Sequence, residues 1–340
     1  MRKEHLVYLA CSSCKRDLVI ASVQREDDAS IETGTLRCSA CGQEYPILRH
    51  IPRFVPLENY ASNFGLQWGL HAKTQFDSVT GLNISEARFF AETEWSRDLS
   101  GKTLLEVGSG AGRFTEQAVS TGAMVVSLDY SIAADANYAS NGHHDNLLIV
   151  QGDIYHLPFH ENSFDKTLCI GVLQHTPRVK EAFVALTRPV KAGGSLVVDF
   201  YPKETGVRGT IRNLLRTKYW VRPFTKRVPS ERLYGWCNRY VTFMWPLARW
   251  INRIPRIGRY LNWALLIADY RGRYPLSESM LKEWAILDTF DMLAPAYDSP
   301  QTVETVRAWY QEAGMVNIQV QLGCADVFRG VVGRGSKHGS

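Results

Sequence analysis

The sequence predicts an α/β protein with a doubly wound, mostly parallel sheet, preceded by a small cysteine-rich module and interrupted by a helical insertion. Three observations lead to this fold class. From about residue 102, apolar strand-like runs alternate with helical segments that end at glycine. Two C-x-x-C pairs lie within the first 41 residues, and a basic, aromatic segment at 203–274 breaks the alternation. With 45% hydrophobic and 21% charged residues, the 340-residue chain has enough apolar material for such a core.

The four N-terminal cysteines predict a structural zinc site. Cys11/Cys14 and Cys38/Cys41 form two knuckles with 23 residues between them. Four thiolates complete a tetrahedral coordination sphere and leave no open position for a catalytic water. A redox dithiol is the competing interpretation, but nothing resembling a thioredoxin-type unit follows either pair. We therefore predict a zinc ribbon with its linker over residues 1–57, and expect His50 at its surface rather than as a fifth ligand.

The later elements follow in order along the chain. Predicted strands lie in KTLLEVGSG, AMVVSLDYS, NLLIVQGD, DKTLCIGVL, GGSLVVDFY, MVNIQVQLG and DVFRGVVGRG. Predicted helices lie in GRFTEQAVSTG, RVKEAFVALTRPVKAGG and SPQTVETVRAWYQEAG. The sheet domain is therefore expected over 58–202 and 291–334, on either side of an insertion at 203–290. Residues 335–340 are predicted to be a disordered tail.

The most informative stretch is LLEVGSGAGRF, residues 104–114. A buried strand runs into a turn with three glycines and then into a helix, which lets the backbone approach a ligand closely. The spacing is G-x-G-x-G, whereas the dinucleotide-binding turn is G-x-G-x-x-G. Glu106 precedes the first glycine by two residues. A carboxylate there would repel a pyrophosphate and attract a cationic ligand.

Three further features follow at the ends of the next strands. Asp129 ends the second strand, 21 residues after Gly108, where an acid suits the two hydroxyls of a ribose. Asp153 follows the third strand, where a carboxylate can accept from an adenine amino group. The fourth strand, in FDKTLCIGVLQHTP, is expected to open on the reactive end of the same ligand.

Together these residues resemble the motifs of class I S-adenosylmethionine-dependent methyltransferases, over roughly 100–202 and again near 300–334. The resemblance implies a Rossmann-like sheet whose last strand is antiparallel. It also implies a cofactor site in which the turn holds the methionine moiety and its sulfonium, the end of the second strand holds the ribose, the third frames the adenine and the fourth lies near the methionine end. In that order, the implied residues are Glu106, Gly108, Ser109, Gly110, Gly112 and Arg113; Asp129 and Tyr130; Asp153 and Ile154; Ile170 and Gly171.

Several residues are candidates for the acceptor pocket. His175, just beyond the fourth strand, is either a general base for a hydroxyl acceptor or an orienting contact to the loop or cofactor. One set precedes the sheet domain and either forms a lid or packs the ribbon on the sheet: Phe64, Gln67, Trp68 and Gln75. Another precedes the last helix and is a candidate to hold substrate hydroxyls: Asp288, Asp291, Tyr297 and Asp298.

The acceptor class divides into three hypotheses. The whole layout resembles methyltransferases of bacterial glycan and natural-product pathways, which favours a hydroxyl of a small molecule or glycan, with a lipid-linked acceptor if the insertion lies on a membrane. An rRNA guanine methyltransferase family also joins a four-cysteine ribbon to this domain, so an RNA base is the alternative. However, no N-P-P-Y-like run, the mark of amino-group methylation on bases, follows Leu168. The third hypothesis has no acceptor: a non-catalytic, zinc-bearing partner protein that binds the cofactor without using it.

The insertion is the most polarised part of the chain. Residues 203–274 hold 16 Lys/Arg, 3 Asp/Glu and five of the nine tryptophans, whereas the whole chain has a net charge of +5. A lid or dimer contact, an anionic membrane surface and nucleic acid are its three interpretations. The N-terminus lacks the apolar run of a secretory signal, and no stretch approaches 18 uncharged apolar residues. We therefore expect a cytoplasmic protein, peripheral to a membrane if the insertion binds lipid.

Overall fold

The computed structural model describes residues 1–27, 30–57, 62–207, 209, 214, 216–323 and 328–339. The N-terminal module is an antiparallel sheet in the order β1-β2-β3-β4, preceded by a 3-10 helix at Lys3–Tyr8. Its strands are β1 (Leu18–Asp27), β2 (Ser30–Cys38), β3 (Glu44–Leu48) and β4 (Ile51–Pro52). The cysteine pairs lie in the turns before β1 and between β2 and β3, so the strand pairing brings both pairs to one end of the module.

A seven-stranded sheet follows, in the order β10-β11-β9-β8-β5-β6-β7. Strands β5 to β9 are parallel, while β11 is antiparallel to both β9 and β10. The predicted doubly wound sheet with an antiparallel last strand is thus confirmed. Its strands are β5 (Thr103–Val107), β6 (Met124–Asp129), β7 (Leu147–Gln151), β8 (Phe164–Cys169), β9 (Val190–Phe200), β10 (Met315–Leu322) and β11 (Val331–Lys337).

Helices cover the sheet and build the insertion. Those of the sheet domain are α1 (Ser62–Leu70), α2 (Asp77–Thr80), α3 (Ile84–Thr93), α4 (Arg113–Ser120), α5 (Ala133–Asn141), α6 (Val179–Thr187) and α11 (Val303–Glu312). Those of the insertion and the segment after it are α7 (Lys218–Thr225), α8 (Ser230–Ile251), α9 (Gly258–Ala264) and α10 (Glu278–Leu293). None of the helices in the described ranges combines the length and apolar composition needed to cross a bilayer.

The predicted disordered tail is partly wrong, because β11 continues to Lys337. Glycines in this strand allow it to pack closely against a helix. A side chain at Gly335 would come within 2.6 Å of the Tyr310 ring, so glycine there lets α11 pack directly on β11. The Tyr310 hydroxyl donates to the Gly333 carbonyl at 2.8 Å, and the strand pairs with β9 as far as Ser336.

The N-terminal module shares one hydrophobic core with the main sheet. Leu9, Ile31 and Leu36 belong to the same cluster of buried side chains as Leu105 and Val126. The chain leaving β4 forms a parallel bridge to Gln151, so the module lies against the β7 edge of the sheet.

Two basic residues of the module hold this contact. Arg53, almost fully buried, donates to Gln151 Oε1 at 2.9 Å and to Asp135 Oδ1 at 2.8 Å. His50, expected at the surface, is instead partly buried and stacks on Tyr138 with ring centroids 5.0 Å apart. It lies at this contact because it follows β3 and faces α5.

Candidate cofactor site and metal centre

The glycine loop, residues 108–112, turns the chain from β5 into α4. Gly108 and Gly112 have φ angles of +83° and +95°, a region that favours glycine. A Cβ at Gly108 would meet Val172 at 2.3 Å, and one at Gly112 would meet Asn137 Oδ1 at 2.2 Å. The loop therefore tolerates no side chain at either position and presents its backbone at the carboxyl end of β5.

Asp129 joins this loop to the end of β6. Its Oδ2 accepts from the Gly110 N–H at 2.8 Å. Its Oδ1 accepts from the Ser131 N–H at 2.8 Å and from the Ser131 hydroxyl at 2.7 Å. Burial raises the pKa of this carboxyl, while these donors act in the opposite direction. The carboxylate is thus fixed in orientation beside the loop.

Glu106 lies in a polar network within the fold. Its Oε2 accepts from the Thr115 and Ser127 hydroxyls, and Asn137 Nδ2 donates to both of those oxygens at 3.0 Å. Burial raises the pKa of Glu106 to about 7. Asn141 extends the network to the Gly112 carbonyl at 3.1 Å, so the acid and the loop are held by one set of contacts.

The chain after β8 has open space beside Gly171. Gly171 has a φ of +77°, and a Cβ built there would meet nothing within 4 Å. Its N–H donates to Asp199, a fully buried acid of β9 that also accepts from Arg88 of α3. Ile170 beside it is buried. Asp199 and Arg88 were not among the predicted site residues. The position of Asp199, an acid near the end of an apolar strand, could have indicated it.

Around the loop, buried polar atoms lack partners among the described residues. They are Ser109 Oγ, Arg113 Nε and Gln67 Oε1. Buried polar groups are normally hydrogen-bonded, so each of these atoms offers a contact to a ligand. The glycine turn, the fixed Asp129 and these atoms fit the S-adenosylmethionine that the sequence resemblance implies.

The predicted adenine side lies after β7. Ile154 is buried, and Asp153 accepts from the Tyr155 N–H at 3.0 Å. Asp153 also lies 3.2 Å from His156 Nδ1. Tyr130 is half-buried after β6, and burial followed by the charge of Asp153 raises the pKa of its hydroxyl. Tyr130 and Asp153 thus lie near one another after the paired ends of β6 and β7.

Helix α1 lies directly over the glycine loop. A Cβ at Gly110 would approach Trp68 Nε1 at 3.0 Å, so the indole covers this glycine. Gly65 packs on Ile132, and Gln67 is buried beside it. The side chain of Phe64 lies outside the described part of the chain. These contacts show α1 lying on the sheet domain at the loop, which is the position required of a lid.

His175 follows β8 and faces the segment before α11. Its Nδ1 lies 3.0 Å from the Tyr297 carbonyl oxygen, and its ring meets the Tyr201 ring edge-on at 5.7 Å. A carbonyl only accepts, so Nδ1 carries a hydrogen, and the neutral ring has its lone pair on Nε2.

The candidate acceptor residues from distant segments come together. Arg113 donates to Gln75, whose Nε2 lies 3.4 Å from Asp288 Oδ1. The Tyr270 hydroxyl donates to the other oxygen of Asp288, and burial raises the pKa of that carboxyl to about 7. The charge of Asp291 raises the same pKa.

Burial, and then the charge of Asp291, raise the pKa of Tyr201, whose ring meets the His175 ring.

Asp298, a candidate substrate contact from the sequence, instead forms a contact within the protein. It forms an ion pair with Arg222 of α7, and both side chains are nearly buried. Arg222 also donates to the carbonyls of Pro295 and Tyr297, at 2.9 and 3.0 Å. It therefore holds the turn that positions His175. Arg222 belongs to the basic segment 203–274, and residue spacing did not indicate its pairing because Asp298 lies 76 residues away along the chain.

The four cysteines form the metal centre that their spacing predicted. All four Sγ atoms lie within 4.8 Å of one another, with Cys14–Cys38 at 3.4 Å and Cys11–Cys41 at 3.6 Å. Tetrahedral Zn–S bonds of about 2.3 Å require S···S separations of about 3.8 Å, so the cluster fits zinc. The Tyr45 hydroxyl lies 3.1 Å from Cys11 Sγ and supports one ligand from outside the cluster.

Two family models match this chain. The one described as "Methyltransferase domain" matches residues 105–198, which run from β5 into β9. The one described as "Trm112p-like protein" matches residues 2–48, which contain all four clustered cysteines.

Curated relatives match less than a third of this chain in two cases. A sterol 24-C-methyltransferase of Pneumocystis carinii is 38% identical over 99 residues, which are 28% of this chain and 26% of that protein. A demethylmenaquinone methyltransferase of Thermobifida fusca is 30% identical over 102 residues, 29% of this chain and 43% of that protein. The chain thus spans less than half the length of either relative.

Solved structures resemble a larger share of the chain at low identity. A complex of the Haloferax volcanii Trm112 methyltransferase activator with a methyltransferase has a TM-score of 0.45 at 11% identity, covering 82% of this chain and 98% of that one. An S-adenosyl-L-methionine-dependent methyltransferase of Methanococcus maripaludis has a TM-score of 0.42 at 18% identity, covering 84% and 97%.

The motif match and the strand order agree with the geometry at the glycine loop. Residues 105–198 form a class I S-adenosylmethionine-dependent methyltransferase domain, and the module before it is a Trm112p-like zinc ribbon.

Proposed function

We propose that this chain transfers a methyl group from S-adenosylmethionine to a hydroxyl group of a small molecule or glycan. When bound, the cofactor supplies a methyl group on a sulfonium whose departure needs no general acid. The protein then has to orient the acceptor, exclude water and remove one proton. Trp68 over the glycine loop and the buried residues around it serve the first two requirements.

The surroundings of His175 are the observation that supports a hydroxyl group as the acceptor. The contact from Nδ1 to the Tyr297 carbonyl holds the ring in one orientation, and in the neutral ring Nε2 has the lone pair. A hydroxyl must lose its proton during transfer, and histidine is the side chain best matched to that task near neutral pH. We assign His175 as the general base.

The acceptor side supports a polar, hydroxyl-bearing molecule. Gln75 and Asp288 place an amide beside a carboxylate, and the charge of Asp291 acts on the same carboxylate. Carboxylates and amides are suitable partners for sugar or alcohol hydroxyls. By contrast, the segment after β8 reads I-G-V-L-Q-H, without the N-P-P-Y-like run expected for methylation of a base amino group.

A transfer assay tests the acceptor class. Tritium-labelled S-adenosylmethionine is incubated with the protein and with lysate separated into RNA, lipid and soluble glycan or metabolite fractions. We expect label in the glycan or metabolite fraction, or in lipid if the acceptor is lipid-linked. Label confined to RNA would establish base methylation instead. Cofactor binding without label in any fraction would favour the non-catalytic hypothesis.

Two variants of His175 separate a base from an orienting contact. His175→Ala removes both roles. His175→Asn keeps a side-chain N–H that can donate to the Tyr297 carbonyl but has no equivalent of Nε2. We expect both variants to lose about 100- to 10,000-fold in kcat while retaining cofactor affinity. Rescue of kcat by His175→Asn would show that the histidine only positions the 295–298 turn.

A further inference from the structure

Helix α8 carries an apolar stripe that faces outward. Its members are spaced by four, three, four and three residues, which places them on one side of a helix. All are at least 38% exposed, and Phe243 reaches 81%. The stripe consists of Trp236, Tyr240, Phe243, Leu247 and Trp250.

This stripe is separate from the side of α8 that builds the core. Val241, Trp245 and Ala248 pack in one buried cluster with Leu281 and Ala285 of α10. Single exposed apolar residues are common, but five in helical register form a continuous patch of the kind that marks an interaction site. The patch extends toward α9, because the Tyr240 hydroxyl donates to the Leu265 carbonyl at 2.7 Å.

Arginines border the stripe. Arg232 and Arg239 lie four residues before Trp236 and Phe243, one helical turn away, and Arg253 lies three residues after Trp250. All three are exposed, and no carboxylate within the described ranges lies within 4.0 Å of them. The segment 203–274 that contains them holds 16 basic and 3 acidic residues.

We propose that α8 lies in the interface of an anionic lipid bilayer, with the stripe in the headgroup region and the arginines on lipid phosphates. Tryptophan and tyrosine favour this depth because their rings are apolar with one polar edge, and arginine is attracted to anionic headgroups. The side chains of Phe243 and Leu247, at the centre of the stripe, contain no polar atom with which a polar partner could form a hydrogen bond. A second copy is the poorer fit, because pairing two stripes would bring two strongly basic surfaces together.

The docked helix is tied to the lid of the catalytic domain. His71, which follows α1, has its Nε2 2.9 Å from the Tyr234 hydroxyl of α8. Helix α1 carries Trp68 over Gly110. Lipid binding would therefore hold the lid close to the bilayer, as a lipid-linked acceptor requires; this last step alone rests on the proposed function.

Vesicle flotation tests the proposal with the full chain. We expect the protein to float with phosphatidylcholine vesicles that contain 30% phosphatidylglycerol, to bind pure phosphatidylcholine far more weakly, and to dissociate as salt rises. The double variant Phe243→Ser/Trp250→Ser should bind about a hundredfold more weakly, because two large apolar groups leave the bilayer. Arg232→Gln/Arg239→Gln should reduce binding to the anionic vesicles by roughly thirtyfold.

A matched control is Val7→Ser/Leu322→Ser, which removes two equally exposed apolar side chains elsewhere and should bind as wild type. Thermal melting and cofactor affinity of the stripe variant should be unchanged, which separates this result from misfolding and from the proposed reaction. In the wild type, brominated lipids should quench tryptophan fluorescence. Three outcomes would overturn the proposal: no flotation with anionic vesicles, unchanged binding by the stripe variant, or displacement from vesicles by RNA with loss of RNA binding in the same variant.

Discussion

Two buried acids at the glycine loop have different surroundings. Asp129 accepts from two backbone N–H groups and one hydroxyl, whereas Glu106 accepts from the hydroxyls of Thr115 and Ser127. Backbone donors at a fixed position favour the charged form of a carboxylate, so Asp129 is the better acceptor for ligand hydroxyls. Glu106 holds a pKa of about 7 and changes charge in the physiological range.

The titration of Glu106 predicts a pH dependence of stability. Its pKa rises from 4.5 to about 7 on folding, so between these values the folded state binds more protons than the unfolded state. The stability from this group is therefore greatest below pH 4.5 and falls as pH rises to about 7. Without cofactor, wild type should lose up to roughly 3 kcal/mol more than Glu106→Gln between pH 4.5 and 8. Urea unfolding at both pH values measures this, and parallel losses would contradict it.

Residue spacing predicted the loop and its acids, but not the residues that support them. Asp129 and the glycines follow strands in a fixed order, which sequence can show. Arg222 and Asp298 meet across 76 residues, and Arg88 and Asp199 across 111. Such pairs depend on tertiary packing, so neither charge counts nor local spacing indicated them.

At the scale of elements, the ribbon is both a metal site and part of the sheet domain's core. The two C-x-x-C pairs predicted the first property, because metal-ligand spacing is local. The second, the contact with β7 through Arg53 and Gln151, has no sequence pattern. The helical character and the charge of the insertion were predicted as well, and Pro255 lies in the turn before α9.

Metal removal should destabilise the whole chain. We expect one zinc per chain by elemental analysis, and a chelator should lower the melting temperature by about 10 °C or more, since the ribbon shares its core with the sheet. Cys14→Ser/Cys41→Ser should lose the metal with the same effect. Cys237→Ala, a buried thiol outside the cluster, should retain it. Full thermal stability after zinc loss would show that the cluster is not structural.

The Arg53 contact can be tested separately from the metal. Arg53→Ala removes donors to Gln151 and Asp135 and leaves the latter carboxylate with fewer partners. We expect a loss of about 2 kcal/mol in the free energy of unfolding by urea denaturation, with zinc still bound. Arg37→Ala, at an exposed position of β2, should change the stability by less than about 0.5 kcal/mol. An equal effect of both substitutions would remove the role assigned to Arg53.

At the scale of the whole molecule, the catalytic domain lies between two additions. The ribbon packs against the β7 edge of its sheet, while the insertion contacts the residue after α1 and carries the basic, aromatic surface. The fold class and the cofactor were predicted from the order of motifs. Which face of α8 is exposed could not be predicted in the same way. The helix is apolar on two neighbouring faces, and only the packing shows which one is buried.

Calorimetric titration of S-adenosylmethionine into wild type and Asp129→Ala is the most direct test of the cofactor site. We expect wild type to bind and Asp129→Ala to bind about a hundredfold or more weakly, because the ribose loses its charged acceptor. Asp145→Ala, which removes an exposed carboxylate far along the chain from the loop, should bind as wild type. Unchanged affinity in a folded Asp129→Ala protein would contradict the assignment of this site.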